Sequence, residues 1–282
     1  MATWQIVHTT RYAYPAPARR ALHLAWLQPR ATAEQTLLAF ELRCEPVASE
    51  MLWHTDLYAN PFCFMEHLGE HDSFAVISRA QVCVADAGWP PDAGRHPWEE
   101  AVNDGQDPES CEFALSDHAP ELLARLRGYA LPSFTPGRPL AEAVLDLNRR
   151  IHQDFAYVSG ATDVDTPLAA VLDTRRGVCQ DFAGVAIGCL RALSLPARYV
   201  SGYVEPVVGG QSAIGASHAW AAVRDAHGRW LDFDPTNNAV PQGGHITLAW
   251  GRGYADCPPL KGILYGGGGA SAPQVAVEVT RL

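Results

Sequence analysis

The first ninety residues show the hydrophobic pattern of β-strands. Residues 37–44 and 74–84 are short runs rich in β-branched and aromatic side chains, and turn residues such as Asn60 and Pro61 lie between them. This pattern predicts a β-rich N-terminal domain over residues 1–115.

The pattern changes after residue 87, where proline, glycine and acidic residues become frequent. One short helix is indicated over residues 120–129, with Pro120 in its first turn, where a missing backbone N–H does no harm. We therefore assign residues 116–134 to a connector between two domains.

Helical spacing dominates the next part of the chain. Apolar residues from Leu140 to Ile151 recur at intervals of three and four and predict an amphipathic helix. Thr166 and Pro167 mark the start of a brief helix that runs through Leu172.

The clearest helical pattern begins after Gly177 and ends before Pro196. Its apolar positions share one face at helical spacing, and they are Phe182, Val185, Ala186, Cys189, Leu190 and Leu193. We expect this helix to pack its apolar face against a core.

Three strands are predicted after this helix, at residues 197–204, 219–223 and 230–233. A glycine-rich loop at 209–215 separates the first two, and a turn at 225–228 joins the last two. Helices followed by an antiparallel sheet are typical of an α+β fold.

The α+β part defines a catalytic core over residues 135–262. A C-terminal segment, residues 263–282, contains a strand-like run at 275–279 that we expect to return and pack on one of the two domains.

Composition narrows the class of protein. With 48% hydrophobic residues the chain of 282 residues is not disordered, and its net charge of −10 argues against binding to nucleic acid or an anionic membrane. The N-terminus lacks the features of a secretory signal, and no run reaches the roughly 18 apolar residues of a membrane helix. The seven cysteines include no CxxC pair, so we expect reduced thiols in a cytoplasmic protein.

Cys179 is a candidate nucleophile because it lies at the start of the clearest helix. Unpaired backbone N–H groups and the positive end of the helix dipole favour a thiolate there. Cysteines on apolar helix faces are more often inert core residues, and Cys189 on the same helix exemplifies that alternative.

A thiolate nucleophile needs a base and a group that orients it, and the predicted hairpin supplies both. If Arg224 lies opposite Gly228 across a three-residue loop, then His218 lies opposite Asp234. In the same register Ala222 lies opposite Trp230 and Trp220 opposite Asp232. The cross-strand distance would let the carboxylate of Asp234 hold the imidazole.

Burial fixes which face of the hairpin carries these groups, because the opposite face is apolar: Ala219, Ala221, Val223, Leu231 and Phe233. Asp181 and Asp232 are alternative carboxylates. Asp181 is on the wrong side of the helix start, and Asp232 would face Trp220.

Four blocks of sequence resemble the core of bacterial transglutaminase-like proteins: RGVCQDFA at 176–183, ARYVSGY at 197–203, SHAW at 217–220 and WLDFDPTN at 230–237. Residues 8–14 are similar to the N-terminal domain that accompanies this core, and residues 251–256 to its C-terminal extension. Gly253 departs from the family, in which we expect a carboxylate residue.

The resemblance implies a papain-like, transglutaminase-core catalytic domain with a Cys179, His218 and Asp234 triad. The backbone N–H of Cys179 would form half of an oxyanion hole, and Tyr157 is a candidate for the second donor. We expect no cofactor and no metal, since the sequence has no run of alternating carboxylates for calcium.

These residues predict acyl-transfer chemistry through a thioester. Water as the acceptor would make the protein a cysteine protease or amidase that acts on a peptide or protein amide, and a lysine amine would make it a transglutaminase. We favour hydrolysis, because transfer to an amine requires the exclusion of water. The sequence indicates no dedicated segment that would form a lid over the nucleophile. A non-catalytic binding module with a vestigial triad is a third hypothesis.

A competing motif lies in the N-terminal domain. His67, Glu70 and His71 match the H-x-x-E-H pattern of zinc peptidases. That pattern needs a helix, whereas this segment lies between strand-like runs with Gly69 at its centre. A hairpin turn explains it better.

Overall fold

A computed structural model describes residues 1–205, 217–269 and 272–282. The glycine-rich loop predicted at 209–215 lies outside these residues. Within them, none of the helices has the length and apolar character needed to cross a membrane.

One antiparallel sheet contains strands from both ends of the chain. Its members are β1 (Ala2–Ala25), β2 (Gln35–Glu45), β3 (Glu50–Thr55), β4 (Pro61–Val84), β11 (Leu260–Gly266) and β12 (Gln274–Arg281). Their order is β11-β1-β4-β2, with β12 also paired to β1 and β3 to β4. The C-terminal strand therefore returns to pair with β1, and the N-terminal sheet is the one of the two expected domains on which it packs.

The helices follow the sequence closely. They are α1 (Pro108–Ala114), α2 (Pro120–Ala130), α3 (Leu140–Asp154), α4 (Leu168–Thr174) and α5 (Cys179–Arg191). The predictions for α2, α3, α4 and α5 are confirmed to within a few residues. The sequence analysis missed α1, which Asp107 caps by accepting the Ser110 backbone N–H at 3.0 Å.

A second antiparallel sheet packs against α5. It contains β7 (Ala197–Val204), β8 (His218–Arg224), β9 (Trp230–Phe233) and β10 (His245–Gly251), in the order β10-β7-β8-β9. A short parallel pair, β5 (Ala156–Tyr157) and β6 (Arg176–Gly177), lies before α5. The core is thus the α+β arrangement that the sequence indicates.

The apolar face of the β8–β9 hairpin is buried as expected. Its five residues are at most 2% exposed and belong to the main hydrophobic core: Ala219, Ala221, Val223, Leu231 and Phe233. Their burial fixes the face on which His218 and Trp220 lie, because side chains alternate along a strand.

The predicted register of this hairpin is wrong by two residues. Ala222 pairs with Asp232 and Arg224 with Trp230, so the connecting loop is longer than three residues. A two-residue shift keeps every side chain on its predicted face. Asp234 lies beyond the end of β9, where its backbone pairs with Ala239.

The segment from His67 to His71 forms no hairpin turn, because it lies inside β4. The pairing with β1 shifts there, from Leu68 opposite Arg20 to His71 opposite Ala18. Gly69 at this bulge has a φ of +98°, which glycine adopts readily. The hairpin prediction is wrong, but the conclusion that the motif is not helical is confirmed.

Two amide side chains attach β10 to the N-terminal part of the chain. Gln35 donates to the Thr247 carbonyl and accepts from the Thr247 N–H, both at 2.8 Å. Asn60 makes the same pair of bonds with Trp250, at 2.7 and 2.9 Å. This attachment matters because β10 carries His245 into the candidate site.

Candidate active site

Cys179 is the first residue of α5. The helix start is held by Asp181, whose Oδ2 accepts the backbone N–H of Val178 at 2.7 Å and the hydroxyl of Thr162 at 2.6 Å. Asp181, an alternative carboxylate in the sequence, therefore orders the helix start and is not directed at His218.

The two cysteines of α5 differ as the sequence suggested. Cys179 is partly exposed, whereas Cys189 is fully buried, and that burial raises the pKa of the Cys189 thiol to about 12. Cys179 is therefore the thiol of this helix that a substrate can reach.

His218 begins β8 and lies beside both Cys179 and Asp234. Its Nε2 donates to Asp234 Oδ2 at 2.8 Å, and the Cys179 thiol is the other neighbour that raises the pKa of its imidazole. Because Nε2 is occupied by Asp234, Nδ1 is the ring nitrogen left for the thiol.

The charge on His218 is favoured despite its burial. Burial alone would lower its pKa, but hydrogen bonds and electrostatic attraction from Asp234 and Cys179 outweigh that effect and raise the pKa to about 10. An imidazolium beside a thiol favours the thiolate.

Asp234 is fully buried, and both of its carboxylate oxygens accept hydrogen bonds. Its Oδ1 accepts the backbone N–H groups of Thr236 and Asn237 at 2.9 and 3.1 Å. Its Oδ2 accepts from His218, from Asn237 Nδ2 at 2.7 Å and from His245 Nε2 at 3.1 Å. Burial would raise the pKa of Asp234, but these donors hold it well below its usual range.

Sequence reasoning missed Asn237 and His245. The Asn237 contact has a local signal, because an Asp side chain often accepts from the backbone N–H two or three residues later. No local sequence signal identifies His245, because it lies on β10, and β10 pairs with β7 and not with β8.

Asp232, the other alternative carboxylate, contacts Trp220. Its Oδ2 accepts the indole N–H of Trp220 at 2.9 Å, and its Oδ1 lies 3.6 Å from the Arg198 guanidinium. The contact with Trp220 agrees with the sequence analysis, although it is diagonal and not directly cross-strand.

Tyr157 lies at the Cys179 end of α5. It is 56% exposed, its ring lies 6.3 Å from that of Phe182, and the proximity of Cys179 adds to the burial that raises its pKa. Its role as an oxyanion donor stays a prediction.

A cavity of about 370 Å³ runs along one face of α5, from Gln180 to Arg191. Its lining includes Gln180, Tyr199, Gly253 and Tyr254. A Cβ at Gly253 would meet no atom within 4 Å, so the residue that departs from the family pattern leaves open space in this wall.

One metal-ligand geometry occurs at the site. In the part of the chain that the structure describes, His218, Asp234 and His245 offer ligand atoms within 4.8 Å of one another. The nitrogen of each imidazole already hydrogen-bonds with Asp234 Oδ2, so a metal bound there would replace the hydrogen bond that orients His218.

Comparisons with known proteins agree with this architecture. An uncharacterised protein of Mycobacterium tuberculosis is 37% identical over 292 residues, which cover 98% of this chain and 92% of the relative. One of Mycobacterium leprae is 31% identical over 295 residues, covering 99% and 98%. A crystal structure from Cytophaga hutchinsonii, of a protein with a provisional cysteine protease assignment, superimposes with a TM-score of 0.77 at 23% identity, covering 100% and 91%; this likeness shows the fold.

Two family matches cover the two parts of the molecule. Residues 4–83 match the bacterial transglutaminase-like N-terminal region, and residues 131–235 match the transglutaminase-like superfamily. The second match contains Cys179, His218 and Asp234. The chain therefore belongs to the transglutaminase-like superfamily, in the bacterial form that carries this N-terminal region.

Proposed function

We propose that the protein is a cysteine-dependent amide or peptide bond hydrolase that uses Cys179, His218 and Asp234. The observation that carries the proposal is the buried Asp234–His218 hydrogen bond of 2.8 Å, with His218 beside a partly exposed thiol at a helix N-terminus. This is the arrangement of nucleophile, base and orienting group that thiol acyl transfer needs.

In the first half of the reaction the Cys179 thiolate attacks the carbonyl carbon of the substrate amide. The tetrahedral intermediate collapses to a thioester as the C–N bond breaks, and His218 gives its proton to the leaving amine. Asp234 keeps the imidazole oriented and stabilises its positive charge.

In the second half His218 takes a proton from water, which attacks the thioester carbonyl. The C–S bond breaks, the carboxylic acid leaves, and the Cys179 thiolate and His218 imidazolium are restored. The backbone N–H of Cys179 donates to the oxyanion in both halves, and we assign the second donor to the Tyr157 hydroxyl.

The cavity along α5 is lined by Gln180, the neighbour of Cys179 in the chain, and we propose that the substrate amide binds on this side of the nucleophile. We expect a peptide or protein amide as substrate. The acceptor decides between hydrolysis and transglutamination, and we favour water because the thiol is partly exposed.

Activity profiling tests this proposal. The purified chain is incubated with a peptide and amide library, with and without a primary amine, and products are identified by mass spectrometry. We expect carboxylic acid products for the wild type and none for Cys179→Ala. Cys83→Ser, which removes a partly exposed thiol of β4, is the matched control and should behave as the wild type.

Three results would contradict the proposal in different ways. Amine adducts in place of acids would indicate a transglutaminase. Equal activity of Cys179→Ala would place the chemistry elsewhere. Binding of peptides without turnover would support the binding-module hypothesis.

A further inference from the structure

A second cavity, of about 520 Å³, lies against the sheet formed by β7 to β10. Trp220 lines it, and along β8 Trp220 alternates with the residues that pack in the main core with α5. The cavity therefore lies on the other face of this sheet. Residues 32–35, 84–85 and 87–90 form its wall on the side of the N-terminal sheet and the connector. Its volume is typical of a site for a small molecule.

Arg198 of β7 lines this cavity although it is only 7% exposed. Its Nε is buried and has no hydrogen-bond partner among the described residues. Its ion pair with Asp232 is loose, because 3.6 Å between Nη2 and Oδ1 is longer than a hydrogen bond. Buried donors are nearly always satisfied, so this guanidinium needs a further acceptor.

Two indole rings hold the guanidinium of Arg198 in place. Its central carbon lies 4.4 Å from the ring centroid of Trp230 and 3.9 Å from that of Trp250. The strands that carry these rings, β9 and β10, lie on opposite sides of β7. Cation–π contacts of this kind fix the position of the charge. The guanidinium is therefore ready to bind an acceptor without a movement of its side chain.

Two other charged residues of the wall, Arg229 and Glu109, already have partners. Arg229 donates to Asp92 and Asp225, both at 2.8 Å. Glu109 lies 3.1 Å from the guanidinium of Arg224. Among the described residues, Arg198 is thus the cation of this cavity that lacks a close anionic partner.

The charge of Arg198 is incompletely compensated. Burial lowers the pKa of its guanidinium, although Asp232, Glu109 and Glu34 act in the opposite direction. Glu34 is exposed, and solvent weakens its effect. One more carboxylate beside Arg198 would offset the cost of burying this charge.

The remaining wall indicates what kind of ligand fits. Half of the eight tryptophans of the chain line this cavity, and they are Trp89, Trp220, Trp230 and Trp250. Large aromatic side chains bind flat apolar groups by stacked or edge-to-face contacts. The ligand should therefore combine a flat apolar body with one anionic end.

We propose that this cavity binds an aromatic carboxylic acid, with its carboxylate on Arg198 and its ring among the tryptophans. A carboxylate is planar and matches the fork of N–H donors of a guanidinium. The acid can be a free small molecule or the C-terminus of a peptide that ends in an aromatic residue. Cys179 and His218 are not among the described residues that line the cavity, so the site does not depend on the proposed reaction.

Calorimetric titration of the full chain with hydrocinnamate tests the proposal, and hydrocinnamamide is the matched neutral ligand. Arg198→Met removes the guanidinium and keeps an unbranched side chain. Arg229→Gln is the matched control, because this arginine of the same wall is already paired. Ala87→Trp fills the cavity from an exposed position of its wall, so the proposal stays testable if Arg198→Met does not fold.

A second titration distinguishes the two sources of the carboxylate. It uses Cys179→Ala, which lacks the proposed nucleophile, and the tripeptide Ala-Ala-Phe with a free or an amidated C-terminus. Binding of the free tripeptide at least about tenfold more tightly than hydrocinnamate would identify a peptide C-terminus as the ligand. Equal or weaker binding would identify the free acid.

We expect one hydrocinnamate per chain, with similar affinity, for the wild type and Arg229→Gln. Hydrocinnamamide with the wild type, and hydrocinnamate with Arg198→Met or Ala87→Trp, should bind at least about tenfold more weakly, as expected when a hydrogen-bonded charge pair is lost or the cavity is filled. The circular dichroism spectra should be unchanged. No binding by the wild type, equal binding of acid and amide, loss of binding in Arg229→Gln, or wild-type affinity in Ala87→Trp or in folded Arg198→Met would each overturn the proposal.

Discussion

His218 Nε2 lies 2.8 Å from Asp234 Oδ2, although the two residues are not cross-strand partners. Asp234 follows the last residue of β9, and its backbone pairs with Ala239. The contact is therefore made by side chains across the end of the hairpin. This position leaves Asp234 free to collect donors from the following turn and from β10.

The first prediction concerns thiol reactivity. In the native protein, iodoacetamide should modify Cys179 much faster than Cys189, because Cys179 is partly exposed beside His218 and Cys189 is fully buried in α5. Peptide mapping by mass spectrometry at early times measures both rates.

His218→Ala is the control for this experiment. It should slow the alkylation of Cys179 and leave that of partly exposed Cys111 unchanged, because Cys111 contacts Asn103 and not a histidine. Equal rates for Cys179 and Cys189 would contradict the assignment of the nucleophile.

The second prediction is a pH dependence of stability. The folded protein raises the pKa of His218 from its ordinary 6.5 to about 10, so folding favours the protonated ring. This contribution to the free energy of unfolding is fully present below about pH 6.5 and is lost as the pH rises towards about 10. Asp234→Asn removes the carboxylate that stabilises the charged imidazole of His218. The free energy of unfolding of this variant should therefore decrease less over the same pH range.

Urea unfolding of the wild type and Asp234→Asn at about pH 6 and about pH 9.5 measures the effect. The stability advantage of the wild type should be larger at the lower pH. An advantage that does not change with pH would mean that the proton on His218 is not held by Asp234.

The fold and most of the site follow from local patterns. The spacing of Phe182 and Cys189 defines α5 and therefore places Cys179 at its start, and alternation puts His218 on the right face of β8. The hairpin register is not fixed in this way, because a two-residue shift buries the same side chains. His245 depends on which strands are neighbours, and one-dimensional spacing carries no such information.

The third prediction concerns Asn237, whose side chain donates to Asp234 at 2.7 Å. Asn237→Ala should lower kcat/KM for amide hydrolysis by about tenfold, as expected when a hydrogen bond to a charged group is lost. The decrease should be smaller than in Asp234→Asn, because the backbone N–H groups of Thr236 and residue 237 remain.

Thr236→Ala is the matched control. Its backbone N–H contacts Asp234 but its hydroxyl does not, so its kinetics should equal those of the wild type. A loss in Thr236→Ala as large as in Asn237→Ala would point to a general disturbance of the turn.

The fourth prediction compares two glycines near the nucleophile. A Cβ at Gly177 would lie 2.5 Å from Asp181 Oδ2, which holds the start of α5. Gly177→Ala should therefore displace Asp181, destabilise the protein by about 1–3 kcal/mol and lower kcat more than tenfold.

Gly184→Ala in the same helix should do the opposite. Its Cβ would make ordinary contact with Leu168 at 3.6 Å, and alanine stabilises a helix interior by about 0.5–1 kcal/mol relative to glycine. Activity should stay at the wild-type level. Urea unfolding and steady-state kinetics measure both variants, and equal behaviour of the two would contradict the role given to Asp181.

The last prediction separates thiol from metal chemistry. His67 and His71 lie on an irregular strand and not on one face of a helix, and Glu70 is exposed, so this segment lacks the arrangement of a zinc peptidase. A strong chelator should leave kcat/KM unchanged at a temperature well below the unfolding midpoint, whereas iodoacetamide should abolish it. Activity that is lost with chelator and restored by Zn²⁺ in Cys179→Ala as well as in the wild type would require a metal-bound water as the nucleophile. That result would move the active site into the N-terminal sheet.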